Sequence, residues 1–381
     1  MTRPRPGDVP LSLYVHIPWC LRKCPYCDFN SHEVKGGLPE RAYVRALLAD
    51  LEVQVPRTAG RPLQSIFIGG GTPSLFSGAA ITGLLEGIAA RLPLAAEAEI
   101  TLEANPGAVD AAHFAAYREA GVNRLSIGVQ SFSGDRLQAL GRVHDPAQAR
   151  DALHVAREAG FDNINLDLMF GLPGQSEEGA LDDLRQALEL APEHLSWYQL
   201  TIEPNTLFHH RPPPLPDEGR LVAMQEAGQA LLVRAGYAGY EISAHAREEF
   251  RCRHNLNYWR FGDYLGVGAG AHGKLTREDG VHRYWRPRHP DAYMKGADRQ
   301  AGERRLSADD LRLEFMMNAL RLNEGVSLEL FRARTGLDED SIAQALELAR
   351  QRGLMEDRPD RLQPTARGRR FLNDLLSLFL G

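Results

Sequence analysis

Six short apolar runs, separated by stretches with helical spacing, restrict the first half of this chain more than any other feature. The runs are Leu11–Pro18, Ser65–Ile68, Glu99–Leu102, Arg124–Val129, Asn163–Met169 and Leu195–Ile202, each beside a Gly, Pro or Asn turn signal. Between them lie Arg41–Val53, Ala80–Leu92, Ala111–Ala120, Ala147–Ala159 and Glu177–Leu190. In Arg41–Val53 the apolar residues Tyr43, Val44, Leu47, Leu48 and Leu51 recur at helical intervals. Strands that alternate with helices in this way imply parallel βα units and an α/β fold. Periodicity does not choose between a barrel and a doubly wound sheet. At 381 residues the chain has room for two or three domains.

The first strand runs straight into a loop that holds Cys20, Cys24 and Cys27, three of the four cysteines, spaced C-x3-C-x2-C. Thiolates are soft ligands for iron–sulfur clusters and zinc. Three of them can hold a [4Fe–4S] cluster and leave one iron open to another ligand. A closed zinc site wants a fourth ligand, for which His16 and His32 are the nearest candidates. Unliganded buried thiols are the third reading. Clustered cysteines of this kind indicate a metal site in a reducing compartment rather than a disulfide framework. With 44 Lys and Arg against 50 Asp and Glu, the net charge of −6 argues against a general nucleic-acid or membrane-surface binder. Met1–Asp8 lacks the apolar core of a secretory signal, and no apolar run approaches the roughly 20 residues that span a bilayer. A soluble, cytoplasmic protein is expected.

Residues at the C-terminal ends of strands are where α/β folds place their sites. The second run ends in Gly69-Gly70-Gly71-Thr72-Pro73, where glycines let a ligand approach the backbone. The third ends in Glu103-Ala104-Asn105-Pro106, with a carboxylate suited to an ammonium. The fourth supplies Gln130, and Arg142 follows in Leu140-Gly141-Arg142. Asp167 stands inside an apolar strand, which is costly unless it is paired or hydrogen-bonded. A carboxylate and an amide suit ribose hydroxyls, and an arginine can meet a carboxylate as a fork.

The second half is less regular. His209-His210-Arg211-Pro212-Pro213-Pro214 reads as a stiff connector, Leu221–Ala235 as a helix and Tyr237–Ser243 as a strand. His254-Asn255-Leu256-Asn257-Tyr258-Trp259 places an imidazole beside aromatic rings, with Cys252 two residues earlier as a second soft ligand. Gly262–Gly273 is glycine-rich and signals close backbone packing; it lacks the strand–GxGxxG–helix context of a dinucleotide loop. From about Leu306 the helical patterns Ala308–Leu320, Ser327–Thr335 and Asp340–Arg352 precede a candidate β wing, Gly353–Glu356 with Arg361–Thr365. An amphipathic helix, Arg367–Leu380, ends the chain. Mixed charge there favours a lid or docking domain over DNA binding.

The ordered series YVHIPWC, CPYC, GGGTPS, LEANP, GVQSF and DLMFGLPGQ resembles the radical S-adenosylmethionine (SAM) enzymes. Within them it is similar to the branch that holds the oxygen-independent coproporphyrinogen III oxidases and the HemW haem chaperones. That resemblance implies an incomplete (β/α)6 barrel over residues 1–235 and an extension at 236–300. A mainly helical, winged-helix-like domain at 301–381 would follow. It implies a [4Fe–4S] cluster on Cys20, Cys24 and Cys27, with SAM held by Gly70, Gly71, Thr72, Glu103, Gln130, Arg142 and Asp167. Tyr14 and Tyr26 would flank cluster and cofactor. The oxidases carry another cysteine two residues after the third ligand, where this chain has Phe29, which speaks against oxidative decarboxylation of coproporphyrinogen. The HNxxYW segment matches one associated with haem binding, which implies His254, Asn255, Tyr258 and Trp259 as haem contacts. Haem delivery to apo-haemoproteins of the respiratory chain would then be the function. A homodimer and transient membrane contact are compatible with it, and no nucleic-acid partner is expected.

Overall fold

The apolar runs pair with one another in sequence order. The computed structural model describes residues 4–108, 111–296 and 298–380, so the first three residues of the N-terminal stretch read above lie outside it. Six parallel strands lie side by side: β1 (Leu11–Ile17), β2 (Leu63–Gly70), β3 (Leu94–Ala104), β4 (Arg124–Gln130), β5 (Ile164–Phe170) and β6 (His194–Gln199). Leu13 pairs with Ile66, Ile68 with Leu102, Leu102 with Leu125, Ile127 with Leu166 and Leu166 with Leu195. Helices α1 (Glu40–Gln54), α2 (Gly78–Ala89), α3 (Ala111–Glu119), α4 (Gly134–Ala139), α5 (Pro146–Glu158) and α6 (Glu177–Glu189) join them. Of these, only α4 has no counterpart in the sequence reading. Leu11, Leu13, Val15 and Ile17 of β1 are all buried, as expected for a parallel strand near the middle of its sheet.

The sheet grows at both edges. β7 (Ala238–Gly239) and β8 (Ala244–Ala246) add antiparallel strands beyond β6. On the other side β9 (Asp263–Val267) joins β1 in parallel, and β10 (His272–Arg277), β11 (Gly280–Trp285) and β12 (Gly302–Arg305) continue antiparallel. Among the described residues the end strands do not pair, so the sheet stays open. It is nevertheless curled: Tyr14, Phe67, Glu103, Ser126, Asp167 and Ser196, one from each of β1 to β6, line a single chamber. The incomplete barrel expected from the resemblance therefore holds as an open, curled sheet.

Helix α7 (Glu218–Arg234) packs outside the sheet, and α8 (Arg253–Trp259) carries the HNxxYW segment. Beyond it, α9 (Ala308–Ala319), α10 (Leu328–Thr335) and α11 (Asp340–Gln351) close a separate core around Phe315, Met316, Phe331 and Leu362. Phe261 joins that core, with Leu256 and Trp259 packed on it, so α8 lies between the barrel and the C-terminal helices.

Three local expectations change. Tyr237–Ser243 is not one strand, because the chain reverses between β7 and β8, where the Glu241 carboxylate accepts the Ser243 amide at 2.9 Å. Arg361–Leu362 pairs with Val326–Ser327, and the proposed wing partners meet only at the bridge of Met355 with Pro364. The final helix splits into Ala366–Arg370 and Leu372–Ser377 at Phe371, which leaves helical torsion (φ −109°, ψ 46°). Gly368 pins the first piece, since a Cβ there would lie 1.9 Å from the Leu354 carbonyl oxygen, while Leu375 anchors the second in the core.

Candidate functional site

The cysteine loop is closed at its base by backbone. Trp19–Cys20 pairs with His32–Glu33, the His32 amide donates to the Pro18 carbonyl at 2.7 Å and the Val34 amide to Cys20 at 3.0 Å. Within the loop the Cys27 amide donates to the Cys24 carbonyl at 3.2 Å. All three cysteines are free and half-buried, and they line one cavity of about 300 Å³. Burial pushes the Cys20 and Cys27 thiols up, which an electron-poor metal centre reverses on binding the thiolates. Of the two histidines named as a fourth zinc ligand, His16 uses both ring nitrogens, on the Tyr14 hydroxyl (3.0 Å) and the Asn30 carbonyl (2.8 Å). His32 lies edge-on to His289 and is not among the residues that line the cavity. A donor set of three thiols without an imidazole suits a cluster with one open iron better than closed zinc.

The strand ends meet that loop. Gly70 has φ +121°, and a Cβ on it would lie 2.6 Å from the His16 ring; one on Gly71 would lie 2.5 Å from the Trp19 carbonyl oxygen. Only glycine lets the backbone pass there. Gly71 and Thr72 donate their amides to Ile17 and Trp19, both at 2.7 Å, which locks this turn to β1 and the loop. Glu103 accepts the Gly70 amide at 2.9 Å; burial, then the nearby Asp167 carboxylate, push its carboxyl up to about 7. Asp167 is also pushed up by burial and accepts Ser126 Oγ and Asn165 Nδ2, each at 2.9 Å.

Gln130 sits in the left-handed region at φ +68°, beside a register shift in β4, and its amide oxygen accepts the Tyr198 hydroxyl at 2.9 Å. Such a conformation costs a non-glycine residue about 1–2 kcal/mol and persists only where the surroundings enforce it. The enforcing group is Asp183 of α6, which accepts Ser131 Oγ (2.8 Å) and the Phe132 amide (2.6 Å). Arg142 donates Nη2 to the Gly128 carbonyl at 2.7 Å and holds Nη1 3.8 Å from Cys24 Sγ, while its Nε is buried without a partner. The cavity thus gathers Cys20, Cys24, Cys27, Tyr26, Gly70, Gly71, Thr72, Glu103, Gln130, Arg142 and Asp167. Tyr14 is not among its lining residues.

A chamber of about 330 Å³ adjoins the first cavity and shares Glu103, Ser126 and Asp167 with it. Tyr14, Phe67, Arg124, His254, Asn255, Tyr258 and Trp259 are among its other lining residues. Its position depends on Glu99, whose carboxylate accepts the Arg253 and His254 amides, both at 3.0 Å, and so caps the N-terminus of α8. The Cys252 thiol also donates to Glu99 at 3.5 Å and burial pushes it up to about 12. It does not line the chamber, so the sequence reading of Cys252 as a second soft ligand gives way to a role at the helix end. Ser65 donates its hydroxyl to Ser12 at 2.8 Å, so His254 Nδ1, 2.9 Å from Ser65 Oγ, carries the ring proton. Burial, then the nearby Arg124 charge, push His254 down to about 3, and Nε2 is buried without a partner. It is a neutral imidazole with a free lone pair.

His209 and His210 lie exposed at the end of a short helix, Leu207–His210, and Phe208 donates its amide to the Pro25 carbonyl of the cysteine loop at 3.0 Å. Sequence reasoning missed Arg124, Asn165, Tyr198 and Asp183. Arg124 carries the signal that exposed Asp167, a charge in an apolar run, and Asn165 shares its face at i, i+2.

Comparison with known proteins places this geometry. The radical SAM superfamily model matches residues 14–187, and the HemN C-terminal domain model matches 306–371. The heme chaperone HemW of Escherichia coli is 56% identical over 372 residues, covering 97% of this chain and 98% of that protein. The heme chaperone HemW of Haemophilus influenzae is 50% identical over 376 residues, covering 97% and 98%. The solved coproporphyrinogen III oxidase HemN of Escherichia coli, described as a radical SAM enzyme, superposes with a TM-score of 0.83. It is 25% identical, and the match covers 98% of this chain and 90% of that one.

Proposed function

The chain belongs to the radical SAM superfamily and, within it, to the HemW family, and from that premise we propose that it is a haem chaperone. It binds one [4Fe–4S] cluster, SAM and haem, and delivers haem to apo-haemoproteins such as those of the respiratory chain. The observation that carries this reading is the shared wall: the HNxxYW helix borders a chamber that has Glu103, Ser126 and Asp167 in common with the cluster cavity.

Cys20, Cys24 and Cys27 hold the cluster, which when bound supplies an iron that can take the methionine end of SAM. Glu103 would take the SAM ammonium, Gly70 and Gly71 would leave room for backbone contact, and Arg142 would offer its remaining Nε to a carboxylate. Asp167 and Gln130 take hydroxyl groups. For haem, His254 would offer the iron its Nε2, and Tyr258 and Trp259 would supply aromatic surface for the porphyrin. The imidazole and rings suit a porphyrin, and the chamber lies at the low end of the roughly 300–1,000 Å³ of ligand pockets. Among the described residues no helix is long and apolar enough to cross a membrane, consistent with a cytoplasmic chaperone that meets membranes only in passing. Assembly as a homodimer is part of this reading.

Phe29, 61% exposed at the cavity rim, stands where the oxidases have a cysteine, and supports the chaperone over a decarboxylating enzyme. The test is one sample of anaerobically reconstituted protein, titrated with haem and then mixed with an apo-haemoprotein. A Soret band that passes to the acceptor is expected, with coproporphyrinogen left unconverted in the presence of SAM and reductant. Efficient decarboxylation would overturn the reading even if haem also bound.

A further inference from the structure

Arg124, the first residue of β4, is 2% exposed and lines the inner chamber. Among the described residues its side chain makes no hydrogen bond and no ion pair, and its Nε is buried without a partner. Its two acidic neighbours are already engaged. Glu99 spends both oxygens on the Arg253 and His254 amides and the Cys252 thiol, and Asp167 spends both on Asn165 and Ser126. Their charges offset the guanidinium through space without satisfying its donors. A guanidinium has five N–H donors in a planar fork and no acceptor, so leaving it buried and unbonded is costly.

Two more unpartnered buried nitrogens belong to residues of the same chamber wall: the indole Nε1 of Trp259, a donor, and His254 Nε2, a lone pair. Donors on Arg124 and Trp259 ask for an anionic acceptor. Glu103 and Asp167 on the shared wall repel a small free anion, so the acceptor must arrive on a body that gains binding energy elsewhere. Tyr14, Phe67 and Tyr258 offer that body aromatic surface. We infer that the inner chamber is a carboxylate-binding site in which Arg124, aided by Trp259, recognises a propionate arm of haem. This rests on the haem reading above and adds a specificity residue to it.

The test compares haem with its dimethyl ester, which keeps iron and macrocycle but removes the anionic arms. Both are titrated, by Soret absorbance, into the cluster- and SAM-loaded full chain and its Arg124→Met and Arg124→Lys variants. The wild type should prefer the diacid by at least about tenfold, the size of one lost charge-assisted hydrogen bond. Arg124→Met should lose that preference and Arg124→Lys keep part of it. Cluster content and near-ultraviolet circular dichroism that match the wild type in both variants separate lost recognition from lost folding. Equal binding of the two porphyrins by wild type, or an unchanged preference in Arg124→Met, would overturn the inference. No Soret change with either porphyrin would instead overturn the haem reading, and this inference with it.

Discussion

The two adjoining spaces differ in how their polar groups are served. On the cluster side the polar side chains are tied to the protein: Glu103 to the Gly70 amide, Gln130 to Tyr198, Asn105 to Thr72 and Arg142 to Gly128, with Arg142 Nε left over. In the inner chamber Arg124 Nε, His254 Nε2 and Trp259 Nε1 have none. A pocket that holds its own groups in place before ligand arrives avoids ordering costs and discriminates by shape. A chamber with unsatisfied buried groups gains most when a ligand supplies the missing bonds, and loses it on release. Retained cofactors suit the first arrangement and a passing cargo suits the second.

The largest effect should come from the cysteine loop. Cys24→Ser replaces a soft thiolate by a hard hydroxyl, and reconstituted protein should lose most of its iron and sulfide by chemical analysis. Stoichiometric zinc and no iron–sulfur absorption in the wild type would remove the cluster, and the contrast with it. Asp167→Ala tests the shared wall. SAM affinity by equilibrium dialysis should fall about tenfold or more, the equivalent of a charge-assisted contact of about 1.5–3 kcal/mol, with cluster content retained. Unchanged SAM affinity would take Asp167 out of the site.

Glu103 gives the contrast a pH dependence. Its carboxyl is raised to about 7 in the folded chain from an ordinary value of 4.5, so between those pH values the folded state binds the proton more tightly than the unfolded chain. Its contribution to stability is therefore fully present below pH 4.5 and lost as pH rises through 7. A bound ammonium favours the ionised carboxylate, so SAM affinity should rise from pH 6 to pH 8 by up to about tenfold. Calorimetry in buffers of different ionisation enthalpy should show proton release on SAM binding near pH 6.5. Proton-neutral binding, or affinity falling with pH, would show that Glu103 does not meet the ammonium.

The smallest effect is expected at Glu99, which touches neither ligand. Glu99→Ala removes the cap of α8, worth about 1 kcal/mol, so haem affinity should drop about fivefold while SAM affinity moves less than twofold. Hydrogen exchange across Arg253–Trp259 should quicken in the variant. If both affinities moved together, the two spaces would be one site.

The sequence by itself determined the parts that depend on near neighbours. The bounds of β1, β2 and β4 to β6 mostly fell within two or three residues of their apolar runs, because alternation and turn residues act locally. The cysteine spacing and the order of the motifs similarly pointed to residues that line one cavity, because Cys20, Gly70, Glu103 and Gln130 each lie at or next to the end of a strand. β3, which begins five residues before its run, and the split of the last helix at Phe371 were not legible, because packing against distant backbone decides them. Only the tertiary structure set α8 against Glu99, a carboxylate about 150 residues earlier in the chain, and so brought His254 into one chamber with Asp167. The same holds for Gln130, whose left-handed backbone is enforced by Asp183 from another helix. It holds most for Arg124: that it is charged and in a strand can be read from its neighbours. That it is left without a partner cannot, because this depends on where Glu99 and Asp167 spend their hydrogen bonds once the sheet has curled.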